Sequence, residues 1–134
     1  MVRLSVKSEY ACLALTYLAK QYDKGWIRIE EIANFQHIPQ KFLEQILLTL
    51  KKAGYLKSRR GSAGGYTLSK PPDKICVADV VRLINGPLAP INSVSKYFYE
   101  KTPSEQSAKL LGLFKDIRDY TAWKLENTYF SDLI

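Results

Sequence analysis

With 134 residues, 46% of them hydrophobic, the chain can build one domain with a real core, or one domain with a long appended helix. No stretch reaches the roughly eighteen apolar residues of a membrane-spanning helix, and the N-terminus lacks the apolar core and cleavage site of a secretory signal. The formal charge of +7 is lopsided: residues 1–75 hold 13 Lys and Arg against 6 Asp and Glu, while residues 76–134 hold 7 against 7.

A basic half points to a polyanionic partner such as nucleic acid, a membrane surface or an acidic protein. Only two cysteines occur, Cys12 and Cys76, far apart in the sequence. Reduced thiols and a cytoplasmic location are the expectation.

In chain order, Val6 to Tyr22 is the first predicted helix, with Ala11, Ala14, Leu15 and Leu18 at i, i+3, i+4, i+7. Its two alanines leave room for a neighbour to approach closely. Asp23-Lys24-Gly25 is a turn, and Trp26-Ile27-Arg28 has the pattern of a short strand. Glu30 to Phe35 is a short helix with Glu30 and Glu31 near its positive end. Gln36-His37-Ile38 turns the chain into a third helix.

That third helix is the most informative element. Leu43, Ile46, Leu47 and Leu50 form one apolar stripe. Lys41, Glu44, Gln45, Thr49 and Lys52 fall on the opposite face. Pro39 suits the first turn, and Gly54 suits a left-handed stop. Tyr55–Ser58 and Tyr66–Ser69 read as two strands around the turn Gly61-Ser62-Ala63-Gly64-Gly65. Lys51, Lys52, Lys57, Arg59 and Arg60 add five cations with no acid among them. Pro71 and Pro72 end the hairpin.

A helix with a polar outer face followed by a basic β-hairpin is the layout of a winged helix-turn-helix. It suits a helix in a DNA groove and a hairpin along the backbone. The string Gly61-x-x-Gly64 also fits a KH-type clamp, but that loop joins helices and this one joins strands. A phosphate-binding P-loop lacks its Gly-Lys-Ser/Thr.

Val77, Val80, Val81 and Ile84 predict a fourth helix stopping at Gly86. Pro87 to Lys101 is irregular. Thr102-Pro103-Ser104-Glu105 then reads as a capping box that starts a long helix to about Asn127. Leu110, Leu113, Phe114, Ile117, Thr121 and Leu125 make its apolar seam, widened by Tyr120 and Trp123. So apolar a helix needs a partner: the same helix of a second subunit, or the chain's own core. The expected fold is mostly α with a small β wing. It divides into a DNA-binding domain (1–86), a loop (87–101) and a long dimerisation helix with its tail (102–134).

Catalysis and metal binding find little support. His37 is the only histidine, in a turn, and no nucleophile–base set can be assembled. Cys12 reads as a small core residue. The two cysteines lack zinc spacing.

Phe42-Leu43-Glu44-Gln45-Ile46, Ala53-Gly54-Tyr55-Leu56 and Arg60-Gly61 through Gly64-Gly65-Tyr66 together resemble the Rrf-two (Rrf2) family of bacterial winged helix-turn-helix regulators. Lys7-Ser8-Glu9-Tyr10-Ala11 resembles the family's first-helix opening. The similarity covers nearly the whole chain and is most specific from Ile38 to Leu68. It implies a homodimer that binds double-stranded DNA and pairs through long C-terminal helices. Carried over, Lys41, Glu44 and Gln45 match residues facing the major groove, and Arg60 matches a wing arginine in the minor groove. Lys7, Gln40, Phe42, Ser58 and Arg59 complete the expected contact set. Chemically, Gln45 can pair with adenine and Glu44 can accept from cytosine N4. Glu44 can instead pair with Lys41.

Cluster-binding members of the family carry three cysteines in the loop before the long helix, and Pro87 to Lys101 carries none. Gly86-Pro87-Leu88-Ala89-Pro90 instead resembles the family's cysteine-metabolism repressors. No iron–sulfur cofactor is expected, and no membrane partner. Two alternatives stand beside the DNA-binding regulator: a winged-helix module reporting through a protein effector, and a thiol redox switch acting through Cys76.

Overall fold

A computed structural model describes residues 3–134. Five helices and one two-stranded antiparallel sheet follow in order: α1 (Val6–Lys20), α2 (Ile29–Gln36), α3 (Gln40–Lys52), β1 (Leu56–Arg59), β2 (Gly65–Leu68), α4 (Val77–Asn85) and α5 (Ala108–Glu126). The mostly helical fold with a small β wing is the expected one.

The core gathers the predicted stripes. Ala11, Ala14, Leu15 and Leu18 of α1 and Leu43, Ile46, Leu47 and Leu50 of α3 are all buried in one cluster with Val77, Val80 and Val81 of α4. Ser5 caps α1, its hydroxyl accepting the Ser8 N–H at 3.1 Å. His37 ends α2 in the left-handed region at φ 54°, exposed in the turn to α3. Pro39 sits at the N-cap of α3, one place before the first helical residue.

The end of α3 is a Schellman motif. The Tyr55 N–H donates to the Leu50 carbonyl and the Gly54 N–H to the Lys51 carbonyl, each at 3.0 Å, with Gly54 at φ 91°. Tyr55 therefore belongs to the helix stop, and β1 begins at Leu56. β2 correspondingly runs one residue earlier than predicted, pairing Leu56 with Leu68 and Arg59 with Gly65. Trp26-Ile27-Arg28 contributes a single bridge: Ile27 and Tyr66 exchange N–H···O bonds of 2.9 and 2.7 Å.

The start of the long helix differs from expectation. Glu105 accepts the Thr102 N–H at 3.3 Å as a capping box should, but it closes only a 3-10 turn, Pro103–Gln106. Ser107 then caps α5 afresh, accepting the Leu110 N–H at 3.2 Å. The tail after α5 returns to the body. Val77 N–H donates to Thr128 carbonyl at 2.9 Å and Phe130 N–H to Ile75 carbonyl at 3.1 Å. Phe130 is fully buried, its turn packing against α1 and the Pro72–Lys74 turn.

Removing that ring should empty a fully buried core site. Phe130→Ala is expected to lose about 3–5 kcal/mol of stability, measured by denaturant unfolding at one protein concentration. A loss below about 1 kcal/mol would show that the tail is not part of the cooperative core.

Candidate nucleic-acid interface

Burying Leu43, Ile46, Leu47 and Leu50 turns the other side of α3 outward. Gln40, Lys41, Phe42, Glu44 and Gln45 are all exposed there. Among the described residues no carboxylate lies within 4 Å of Lys41, so the Lys41–Glu44 ion pair is not formed. Thr49, read as an outer-face residue, is half-buried and donates its hydroxyl to the Gln45 carbonyl at 3.0 Å. Leu48 takes the outward place instead, 50% exposed. Periodicity hid it, because an apolar residue beside an apolar stripe reads as core.

Lys7 is exposed at the start of α1, and α4 fixes that start. Asn85, the last residue of α4, accepts the Ser5 N–H at 2.7 Å through Oδ1 and donates through Nδ2 to the Arg3 carbonyl at 3.0 Å. No sequence signal linked Asn85 to α1, since the contact spans some eighty positions.

The wing presents Ser58, Arg59 and Arg60, all exposed. Among the described residues neither arginine has an acidic partner within 4 Å. Two glycines hold the turn tight. A Cβ on Gly64 would sit 2.0 Å from the Arg59 carbonyl oxygen, and one on Gly65 would sit 2.3 Å from that of Ile27. Arg28 ties the tip back, donating to the Ser62 carbonyl at 3.0 Å while pairing with Glu30 at 3.6 Å. α3, the start of α1 and the wing thus carry Lys7, Lys41, Arg59 and Arg60 without neutralising acids.

α5 divides its apolar residues. Leu125 packs on the core, and Phe114, Ile117 and Thr121 are half-buried. Leu110, Leu113, Tyr120 and Trp123 are exposed, the last two at 70% and 59%. No helix is long and apolar enough to cross a membrane among the described residues.

The loop before α5 is held by arginines. Arg118 donates to the Val94 carbonyl at 3.0 Å, and Arg82 lies 5.0 Å from the Tyr97 ring centre while pairing with Glu126 at 2.6 Å. A thiolate-held iron–sulfur group does not fit these residues. The loop offers Asn92, Ser93, Ser95 and Glu100 but no cysteine. Cys12 lies in α1, where burial, aided by the nearby Glu9 charge, pushes its thiol up to about 11. Cys76 is half-buried at the N-cap of α4, its Sγ 3.4 Å from the carbonyl oxygens of Leu125 and Glu126. Among the described residues no group of three or more His, Cys, Asp or Glu side chains could hold a metal ion.

A winged helix-turn-helix with an exposed polar helix face and a basic wing defines a DNA-binding transcriptional regulator, not an enzyme. The model of the Rrf2 family, described as iron-dependent transcriptional regulators, matches residues 4–134, and the chain belongs to that family. The regulator CymR of Bacillus subtilis is 33% identical over 132 residues, covering 98% of this chain and 89% of that protein. The solved structure of CymR (YrzC), the global cysteine regulator of B. subtilis, matches with a TM-score of 0.80 at 31% identity, covering 99% of this chain and 96% of that one. T. potens IscR matches with a TM-score of 0.76 at 25% identity, covering 98% and 85%.

Proposed function

We propose that two copies pair through α5 and bind a pseudo-palindromic DNA site in the cytoplasm. Each copy lays α3 in the major groove and its wing in the adjacent minor groove. The observation that carries this reading is the set of exposed cations without acidic partners around the outer face of α3. Lys7, Lys41, Ser58 and Arg59 meet phosphates, and Arg60 enters the minor groove, where negative potential favours a guanidinium. Gln40, Glu44 and Gln45 read base edges. The division into residues 1–86, the 87–101 loop and 102–134 is a division of labour. The first binds DNA and the last pairs subunits, while Phe130 anchors the tail in the core of the first.

Selection of duplexes from a random pool with the purified protein supplies the site. On that site, affinity should fall steeply with salt, each phosphate contact adding roughly −0.9 to the log–log slope. Arg60→Ala should weaken binding by about 1–3 kcal/mol. Glu44→Ala should widen the set of bound sequences, because a carboxylate facing phosphate favours binding only where it meets a donor such as cytosine N4. Unchanged affinity on Arg60→Ala would remove the wing from the interface.

Support for pairing comes from the apolar residues α5 leaves outside the single chain: Leu110, Leu113 and Tyr120 exposed, Phe114, Ile117 and Thr121 half-buried. Light scattering at micromolar concentration should report twice the 15.3 kDa chain mass. The selected site should hold two half-sites about 34–36 Å apart. A monomeric mass, or full affinity for a lone half-site, would contradict the pairing.

The regulator works without a cysteine-ligated cluster, in keeping with the cysteine-free loop. Anaerobically purified protein should be colourless and bind its site after chelator treatment. Stoichiometric iron and sulfide, lost on Cys76→Ala, would overturn this.

A further inference from the structure

Between the start of α1 and the first turns of α3 lies an open cleft of about 330 Å³, lined by Val6, Lys7, Tyr10, Phe42, Gln45 and Ile46. Its walls are mainly apolar, and they face outward. Val6 is 58% and Phe42 57% exposed, and the Tyr10 and Phe42 rings stand 6.5 Å apart, tilted by 33°. Exposed apolar side chains grouped beside lysines are unusual on a free surface and mark a contact site.

Three of the lining residues, Lys7, Phe42 and Gln45, are members of the expected DNA-contacting set, so the cleft is continuous with that surface. Phe42 is the third residue of α3. In helix-turn-helix proteins the N-terminal residues of the recognition helix approach base edges. The one bulky apolar group on the major-groove edge of DNA is the C5-methyl of thymine; cytosine has only a small C5–H there, and the remaining features are hydrogen-bond donors or acceptors. A phenyl ring cannot satisfy those, and burying one would leave it unpaired.

We infer that the Val6–Tyr10–Phe42 cleft is a thymine-methyl pocket: Phe42 reads a thymine in each half-site, beside the base read by Gln45. The inference rests on the DNA-binding reading above and adds a base preference to it. Lys7, at the rim, takes the neighbouring phosphate and holds the strand against the cleft.

The test uses the selected duplex with each thymine replaced in turn by deoxyuridine, symmetrically in both half-sites. Deoxyuridine keeps base pairing and removes only the methyl. In the wild-type chain one thymine position should show a loss of about fourfold per half-site, about sixteenfold for both, the scale of burying one methyl group. In Phe42→Ala the thymine and deoxyuridine duplexes should bind alike at that position, with folding checked by circular dichroism. Phe42→Leu, which keeps an apolar surface, should retain part of the discrimination. A wild-type chain indifferent to every thymine methyl would overturn the inference while leaving DNA binding intact. So would a methyl-dependent position that survives in Phe42→Ala, or a Phe42→Ala loss equal on both duplexes, which would indicate a sugar contact. Loss of the dimeric mass on Phe42→Ala would make the cleft a contact between copies instead. A chain that selects no duplex at all would defeat the DNA-binding reading and the thymine pocket together.

Discussion

The burial of one face of α3 against α1 and α2 is the constraint from which the rest follows. Leu43, Ile46, Leu47 and Leu50 are all completely buried, and Ala11 and Ala14 let α1 come close to them. A close-packed interior does not allow a helix to rotate by degrees. Turning α3 by one residue would drive Glu44 or Gln45 inward and put Leu43 and Leu50 in water, losing several kcal/mol of burial and desolvating a polar or charged group. The identity of the outward residues is therefore decided by the inward ones. Every contact α3 can make with a partner is aimed by these four buried aliphatic side chains.

The wing is aimed by backbone rather than by side-chain packing. Only Leu56 and Leu68 at its base are buried among its strand residues. Its stiffness comes from close approach: Gly64 against the Arg59 carbonyl and Gly65 against Ile27, at separations no Cβ can occupy. The bridge to Ile27 and the Arg28 bond to the Ser62 carbonyl tie the hairpin to the segment before α2. Arg59 and Arg60 thus leave a short, doubly tethered turn, so in the proposed complex little order would have to be gained for them to meet a phosphate backbone. That the chain's whole excess of charge lies in residues 1–75 fits this placement.

Local signals made most of this legible, and long-range contacts account for what was not. The third helix could be read because its apolar period, its polar face and Gly54 agree with one another. The strands came out one residue displaced, since nothing local says that the Tyr55 N–H is taken by Leu50. The Thr102–Glu105 pattern was chemically right, and its capping bond forms. A cap does not specify how far its helix continues, and Ser107 offered a second start. Leu48 was assigned to neither face, because an apolar residue beside an apolar stripe carries no polar mark of its exposure. Phe130 gave no signal: its value lies in returning to Ile75 and the core, more than fifty positions back. The apolar cleft is of the same kind, joining Val6 and Tyr10 to Phe42 across two helices.

One helix connects the two ends of the molecule. On α4, Arg82 and Asn85 lie one turn apart. Arg82 pairs with Glu126 of α5 and faces the Tyr97 ring of the loop. Asn85 holds Arg3 and Ser5, immediately before Lys7. Val80 and Val81 on the same helix are buried in the core shared with α1 and α3. The Arg82–Glu126 contact is charge-assisted and its guanidinium is mostly covered, which sets it apart from a surface ion pair that solvent would screen to near zero. One turn of α4 therefore joins α5 and the 87–101 loop to the start of α1, beside the second link that the tail makes through Phe130. In the proposed dimer, the spacing of the two α3 helices would depend on how each α5 is joined to its own α4 and α1.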